Sequence, residues 1–260
     1  MLIVLSPAKS LDYSSPIPDV ASIPVDVPAF MPQAAKLIGL LKKKSAPELM
    51  EMMAISEPLA QLNKQRYRDW LRQPDPAQGR AAIFAFNGDV YEGLDACTLK
   101  SGQFDYLQQH LRILSGLYGV LCPFDLLQAY RLEMGTRLAN LQGSNLYAFW
   151  GDTIAASLRT ELEAHSSGVV VNLASEEYFK AVKSGLQSAT VITPVFEDWK
   201  TDRYKVISFY AKRARGLMAR YCAQHSVTNP EKLKKFTVDG YHFVADQSDA
   251  VHWVFRRRVD

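Results

Sequence analysis

Between Arg203 and Pro230 the chain carries six Lys or Arg residues and no Asp or Glu. The centre of this stretch reads as a helix starting after Ser208, a residue type favoured at helix N-caps. At roughly 100° per residue, Tyr210, Ala211, Ala214, Leu217, Met218, Tyr221 and Cys222 share one arc, expected to pack inward. Lys212, Arg213, Arg215 and Arg220 fall on the opposite arc, with the small Gly216 and Ala219 between them. A solvated helix face ordinarily mixes signs, because Glu and Lys three or four residues apart stabilise each other. Four cations with no acid among them need water, an acidic part of the same protein, or an external polyanion. The small residues between them would let a backbone approach closely.

Other segments offer the same chemistry. Ser6-Pro7-Ala8-Lys9 follows a short apolar run, placing Lys9 where open α/β sheets put ligands and where its ammonium could hold a phosphate. Asn172-Leu173-Ala174-Ser175 leads from the strongest strand signal into a helix that projects Lys180 and Lys183, with Ser175 as N-cap. Arg131 and Arg137, on either side of Glu133, could clamp phosphate or carboxylate groups. Equally, Arg131 and Glu133 at alternate strand positions could share one face. Asp89, behind the Asn87-Gly88 turn signal, could be an acid-base group, a metal carboxylate or simply a turn residue. Gly116 and Gly119, ahead of Pro123, suit tight turns or close backbone approach. No Walker sequence, GxGxxG, HExxH or Gly-x-Ser-x-Gly elbow occurs, and the five histidines show no metal-ligand spacing.

The elements that must position these groups alternate in type. Apolar runs predict strands at Met1–Leu5, Ala81–Phe86, Leu111–Ser115, Val169–Leu173, Thr190–Phe196, Tyr204–Ser208 and His252–Arg257. Helical patterns cover residues 32–44, a stretch after the capping box Ser45-Ala46-Pro47-Glu48, a third after Ser56, then about 146–164 and 176–182. The Pro- and Ser-rich stretch from Ser6 to Pro28 reads as an extended surface segment, and Arg256-Arg257-Arg258 as a solvated basic tail. The expected fold class is α/β: one domain over residues 1–260, a mixed sheet with surrounding helices, and a helical section at about 30–72.

The totals exclude several classes. Thirty basic against 27 acidic residues give a net charge of +3, too little for a generic nucleic-acid sponge, so any polyanion site must be local. No run approaches the roughly 20 apolar residues of a membrane span. The opening residues lack a basic n-region, and the three cysteines are scattered, so a cytoplasmic protein with reduced thiols is expected. Neither a metal nor a cofactor is expected, and a monomer is favoured.

Seven segments together resemble the bacterial YaaA family of peroxide stress proteins. They are SPAK at 6–9, FNGDVY at 86–91, LSGLYGVL at 114–121, YRLEMG at 130–135, FWGD at 149–152, NLASEEYF at 172–179 and ISFYAKRARGLMARY at 207–221. The resemblance implies a cytoplasmic protein that protects against hydrogen peroxide, in part by limiting free iron. It also implies an α/β domain of unusual topology with a basic cleft, DNA binding, and a helix-hairpin-helix-like element mapping to residues 30–72. The joint there, KKKSAPE, lacks the Gly-x-Gly turn of a strong hairpin signature, so phosphate contacts would lean on Lys42, Lys43 and Lys44.

Two functions are weighed on these residues. One is a non-enzymatic binder of double-stranded DNA with low sequence specificity, using Lys9, Arg131, Arg137, Lys180, Lys183, Lys212, Arg213, Arg215 and Arg220. The other is an enzyme acting on a small anionic or phosphorylated substrate in the same cleft, with Asp89, Glu133 or Glu176 as acid-base groups. Direct iron sequestration lacks a ligand cluster in the sequence.

Overall fold

The apolar run at the N-terminus sits at the centre of the sheet, and the chain is built outward from it. The computed structural model describes residues 1–18 and 24–258; residues 19–23, part of the segment expected to be extended, lie outside them. Strand β1 (Leu2–Leu5) is buried on both faces, as a continuous apolar strand requires. The short β2 (Ser10–Leu11) follows, then three helices, α1 (Met31–Leu41), α2 (Ala46–Met53) and α3 (Glu57–Asp69). The capping box at α2 is real: Ser45 Oγ accepts from Glu48 N, and Glu48 accepts from Ser45 N at 2.8 Å. Helix α1 stops at Leu41, leaving Lys42, Lys43 and Lys44 on the joint.

The run Ala81–Phe86 is not one strand. It divides into β3 (Arg80–Ala81), a single helical turn α4 (Ala82–Ala85) and β4 (Phe86–Asn87). All six residues are buried, and a short, fully buried apolar run carries no periodicity that tells strand from helix. Asn87-Gly88 turns the chain from β4 into helix α5 (Asp89–Leu94), with Asp89 its first residue. Helix α6 (Ser101–His110) runs directly into β5 (Leu111–Ser115), which pairs through a tight turn with β6 (Gly119–Leu121); the short β7 (Leu126–Leu127) pairs with β3.

The helix expected over 146–164 is broken at Gly151, whose φ of 48° and ψ of −125° no helix accommodates, into α7 (Leu146–Trp150) and α8 (Thr153–Glu163). Then come β8 (Val169–Leu173), α9 (Glu176–Lys183), the long β9 (Thr190–Lys200), β10 (Arg203–Lys205), α10 (Ser208–Gln224), β11 (His242–Phe243) and β12 (His252–Arg257). Ile207, not Ser208, holds the N-cap position of α10, and no side chain caps it.

The main sheet runs β11-β12-β9-β8-β1-β5-β6, with β10 on β9. Strands β12, β9, β8, β1 and β5 are parallel; β6, β10 and β11 add antiparallel edges. The fold is therefore α/β with a mixed sheet. The chain leaves β1 toward β5 on one side and leaves β8 toward β9 on the other. The crevice between the carboxyl ends of β1 and β8 is a topological switch point, where α/β sheets bind ligands.

Helices α5 and α10 cross in backbone contact. A Cβ on Gly216 would lie 1.8 Å from the Val90 carbonyl oxygen, and one on Gly93 would lie 2.2 Å from that of Arg213. The close approach expected at Gly216 and Ala219 is thus filled by the protein's own helix. Of the C-terminal arginines, Arg256 and Arg257 are packed rather than solvated, and Arg258 is exposed. Arg256 pairs with Glu197 and Arg257 with the buried Asp198, while Arg258 stacks on Trp199.

Candidate functional site

At the switch point the chain turns out of β1 at Ser6, which is fastened from two sides. Its Oγ accepts the backbone N–H of Ser175 at 2.8 Å, and its carbonyl accepts the Tyr91 hydroxyl at 3.0 Å. The loop after β1 is thereby tied to the start of α9 and to α5. Around it lies a cleft of about 400 Å³, lined by Ser6 to Ser10, Asn87 to Val90, Ser175, Glu177, Tyr178, Lys212 and Arg215. Four chain segments distant in sequence meet here.

Lys9, Lys212 and Arg215 face the cleft against the carboxylates of Asp89 and Glu177. Glu177 is partly engaged, accepting the Gly135 N–H at 2.9 Å. Arg215 is half-buried, and desolvation pulls its guanidinium below the ordinary arginine range. Among the described residues no hydrogen bond or ion pair holds Lys212 or Arg215. A partly desolvated cation without a partner is costly, and an incoming anion relieves that cost. Tyr178 lies in the same wall, and burial raises its phenol well above the usual range, so it stays a protonated donor.

Behind the cleft is a small recess lined by Pro7, Ala8, Lys9, Tyr130, Arg131, Leu132, Glu133 and Tyr178. Glu133 Oε1 accepts from Arg131 at 2.8 Å and lies 3.3 Å from Lys9 Nζ. Arg131 is largely buried, and its Nε has no hydrogen-bond partner.

The remaining cations read from the sequence are dispersed. Arg213 pairs with Asp239 at 2.9 Å. Arg220 donates to the carbonyls of Leu94 and Asp95 and to Thr98 Oγ1, closing the α5 end. Lys180 and Lys183 lie on the other side of α9, in a separate groove of about 830 Å³ floored by Phe179, Leu186 and Val191. There Lys180 sits over the Tyr147 ring and Lys183 is 4.0 Å from Glu176. Arg137 is exposed on the loop after Glu133. Lys42 and Lys43 are exposed at the α1–α2 joint, and Lys44 pairs with Glu48. Of the acid-base candidates, Asp89 lines the cleft, Glu133 the recess and Glu176 the separate groove. Among the described residues no group of three or more His, Cys, Asp or Glu side chains could hold a metal ion.

The buried arc of α10 needs one amendment. Tyr210 is 41% exposed and Phe209 52%, and the Tyr210 ring carries the Arg257 guanidinium at 4.8 Å. Glu177 and Tyr178 are cleft residues that the sequence reading passed over. The available signal was their place in the first turn of a helix following a buried strand, which faces the strand-end crevice.

A family model described as peroxide stress protein YaaA matches residues 1–247. A UPF0246 protein of Burkholderia cenocepacia is 56% identical over 262 aligned residues, covering 100% of this chain and 99% of the relative. UPF0246 proteins of a Janthinobacterium species and of Ralstonia nicotianae are each 55% identical over 259, covering all of this chain and 99% and 100% of the respective relatives.

Proposed function

The chain belongs to the peroxide stress protein YaaA family, and we propose that it serves the peroxide stress response by binding DNA phosphates in the switch-point cleft. The observation that carries this reading is the convergence of Lys9, Lys212 and Arg215 on one crevice, with the last two lacking internal partners among the described residues. Arg215 presents a fork of donors that suits phosphate oxygens, and Lys9 and Lys212 add point charges. Binding of this kind tracks the backbone, so sequence preference is low and double-stranded DNA is the expected partner. On this reading a cytoplasmic monomer occupies the backbone, and its limiting of iron-driven damage follows from shielding DNA rather than from capturing metal.

The test is fluorescence anisotropy with a labelled duplex at two salt concentrations. Affinity should fall steeply with salt, and Lys212→Ala should reduce the slope of log K against log salt by about 0.9. Binding that is absent at low salt, or indifferent to salt, sinks the proposal.

A second reading is favoured by the cleft's size. About 400 Å³ lies in the range of small-molecule sites, and Asp89 stands in the wall as a candidate proton acceptor. An enzyme acting on a phosphorylated small molecule would bind inorganic pyrophosphate in the cleft while ignoring duplex DNA. It would also lose peroxide protection in Asp89→Ala without losing anion affinity.

A further inference from the structure

The three cations of the cleft do not stand alike. Lys212 and Arg215 have no partner among the described residues, but Lys9 shares a carboxylate oxygen with Arg131: Glu133 Oε1 lies 3.3 Å from Lys9 Nζ and 2.8 Å from Arg131 Nη2. Glu133 comes from the loop at residues 130–135 and Lys9 from the loop after β1, so the contact bridges the recess behind the cleft. The Glu133 side chain is 13% exposed, whereas that of Lys9 is 68% exposed. The carboxylate is fixed in the wall and the ammonium is free to move.

From this geometry we propose that Glu133 is a built-in competitor for the cleft's anion: it holds Lys9 in the empty protein and must yield it when a phosphate binds. The proposal rests on the anion-binding reading of the cleft and adds a residue that weakens binding. Glu133 sets affinity through Lys9. A phosphate entering the cleft breaks no ion pair of Lys212 or Arg215 among the described residues, but engages Lys9 fully only by displacing a carboxylate of the same sign as itself. Arg131 keeps that carboxylate in place by a second ion pair at hydrogen-bond distance, and no acid other than Glu133 neutralises Lys9 among the described residues. Such an arrangement moderates the affinity of the cleft for its anion.

The experiment compares wild type, Glu133→Gln, Lys9→Met and the double variant, with labelled duplex DNA and with inorganic pyrophosphate as probes. Glutamine keeps an acceptor for Arg131 but removes the charge. The expected result is binding tightened by about two- to fivefold in Glu133→Gln, the scale of a partly exposed ion pair. That gain should disappear in the Lys9→Met background, which a merely structural role for Glu133 would not produce. Melting temperatures of all four proteins identify any variant that has lost its fold, and Glu133→Ala provides the second charge-removing variant if Glu133→Gln is unfolded. Weaker or unchanged binding in the folded variants, or a gain that persists without Lys9, overturns the proposal. Wild-type binding of pyrophosphate but not of DNA refutes the DNA reading alone and leaves the Glu133 test intact on pyrophosphate. Failure of every protein to bind either probe overturns both.

Discussion

Replacing Gly216 by alanine tests the helix crossing on which the cleft depends. Elsewhere in a helix the change is favourable, because alanine exceeds glycine in helix propensity by about 1 kcal/mol. Here the added Cβ would stand 1.8 Å from the Val90 carbonyl oxygen and 2.7 Å from the Leu94 nitrogen. Ordinary contact requires α5 and α10 to separate by roughly 1.5 Å. Both obstructing atoms are backbone, so no side-chain rotation relieves them, and the cost belongs at or above the upper end of the range of about 1–3 kcal/mol for overpacking. Less the propensity gain, a net loss of about 2 kcal/mol remains. For a chain of this size that lowers the melting temperature by roughly 4–8 °C.

Gly39→Ala is the control, since Gly39 is exposed in the last turn of α1 and a Cβ there would meet nothing within 4 Å. It should stabilise by about 0.5–1 kcal/mol. Thermal and urea unfolding of the two variants side by side decide the matter. The same separation carries the Asp89 carboxylate, which competes with an anion for the cleft's cations, away from Lys212 and Arg215, so anion affinity should rise with Gly216→Ala and not with Gly39→Ala. If Gly216→Ala is as stable as Gly39→Ala, the backbone crossing is not what fixes the cleft wall.

Other expectations follow from particular side chains. Arg215→Ala should weaken duplex binding by roughly tenfold or more at low salt, the scale of a lost charge-assisted hydrogen bond, and anisotropy titration reads it. Among the described residues, Arg257→Leu leaves the buried Asp198 carboxylate with only the Tyr241 hydroxyl, at 2.9 Å, and should cost about 3–5 kcal/mol in urea unfolding. Asp125 is buried, and desolvation pushes its carboxyl up to about 7 despite the nearby Arg112 and the N–H of Cys122. Because this folded value lies above the unfolded one, its contribution is fully present below about pH 4. That contribution is lost progressively as pH rises toward 7. Asp125→Asn should therefore gain stability relative to wild type between pH 5 and pH 8, by about 2 kcal/mol in urea unfolding; an equal difference at both pH values would contradict the assignment.

Much of the sheet was legible because its central strands are continuous apolar runs. Leu111–Ser115, Val169–Leu173 and His252–Arg257 are strands with the bounds expected. Where the chain is buried but not extended, as at Ala82–Ala85, composition is the same and only the pairing of Arg80–Ala81 and Phe86–Asn87 with different strands reveals the turn between them. The peroxide-stress family was legible from motifs strung along the chain. The cleft was legible in part: Lys9, Lys212 and Arg215 could be named as cations near strand ends or on a helix face. That Arg213 and Arg220 find partners within the protein was not, because Asp239 and the Leu94–Thr98 segment meet α10 only through the tertiary fold.

The place of β1 has a consequence for how the molecule comes into being. Its neighbours are β5, about a hundred residues later, and β8, later still. While the chain is being made, Leu2–Leu5 is an apolar strand with both edges open, and such edges recruit other chains. Contacts this distant in sequence also form slowly. A synthesis halted before Val169 would yield a chain in which Ser6 lacks its Ser175 partner and β1 keeps a free strand edge, prone to aggregate.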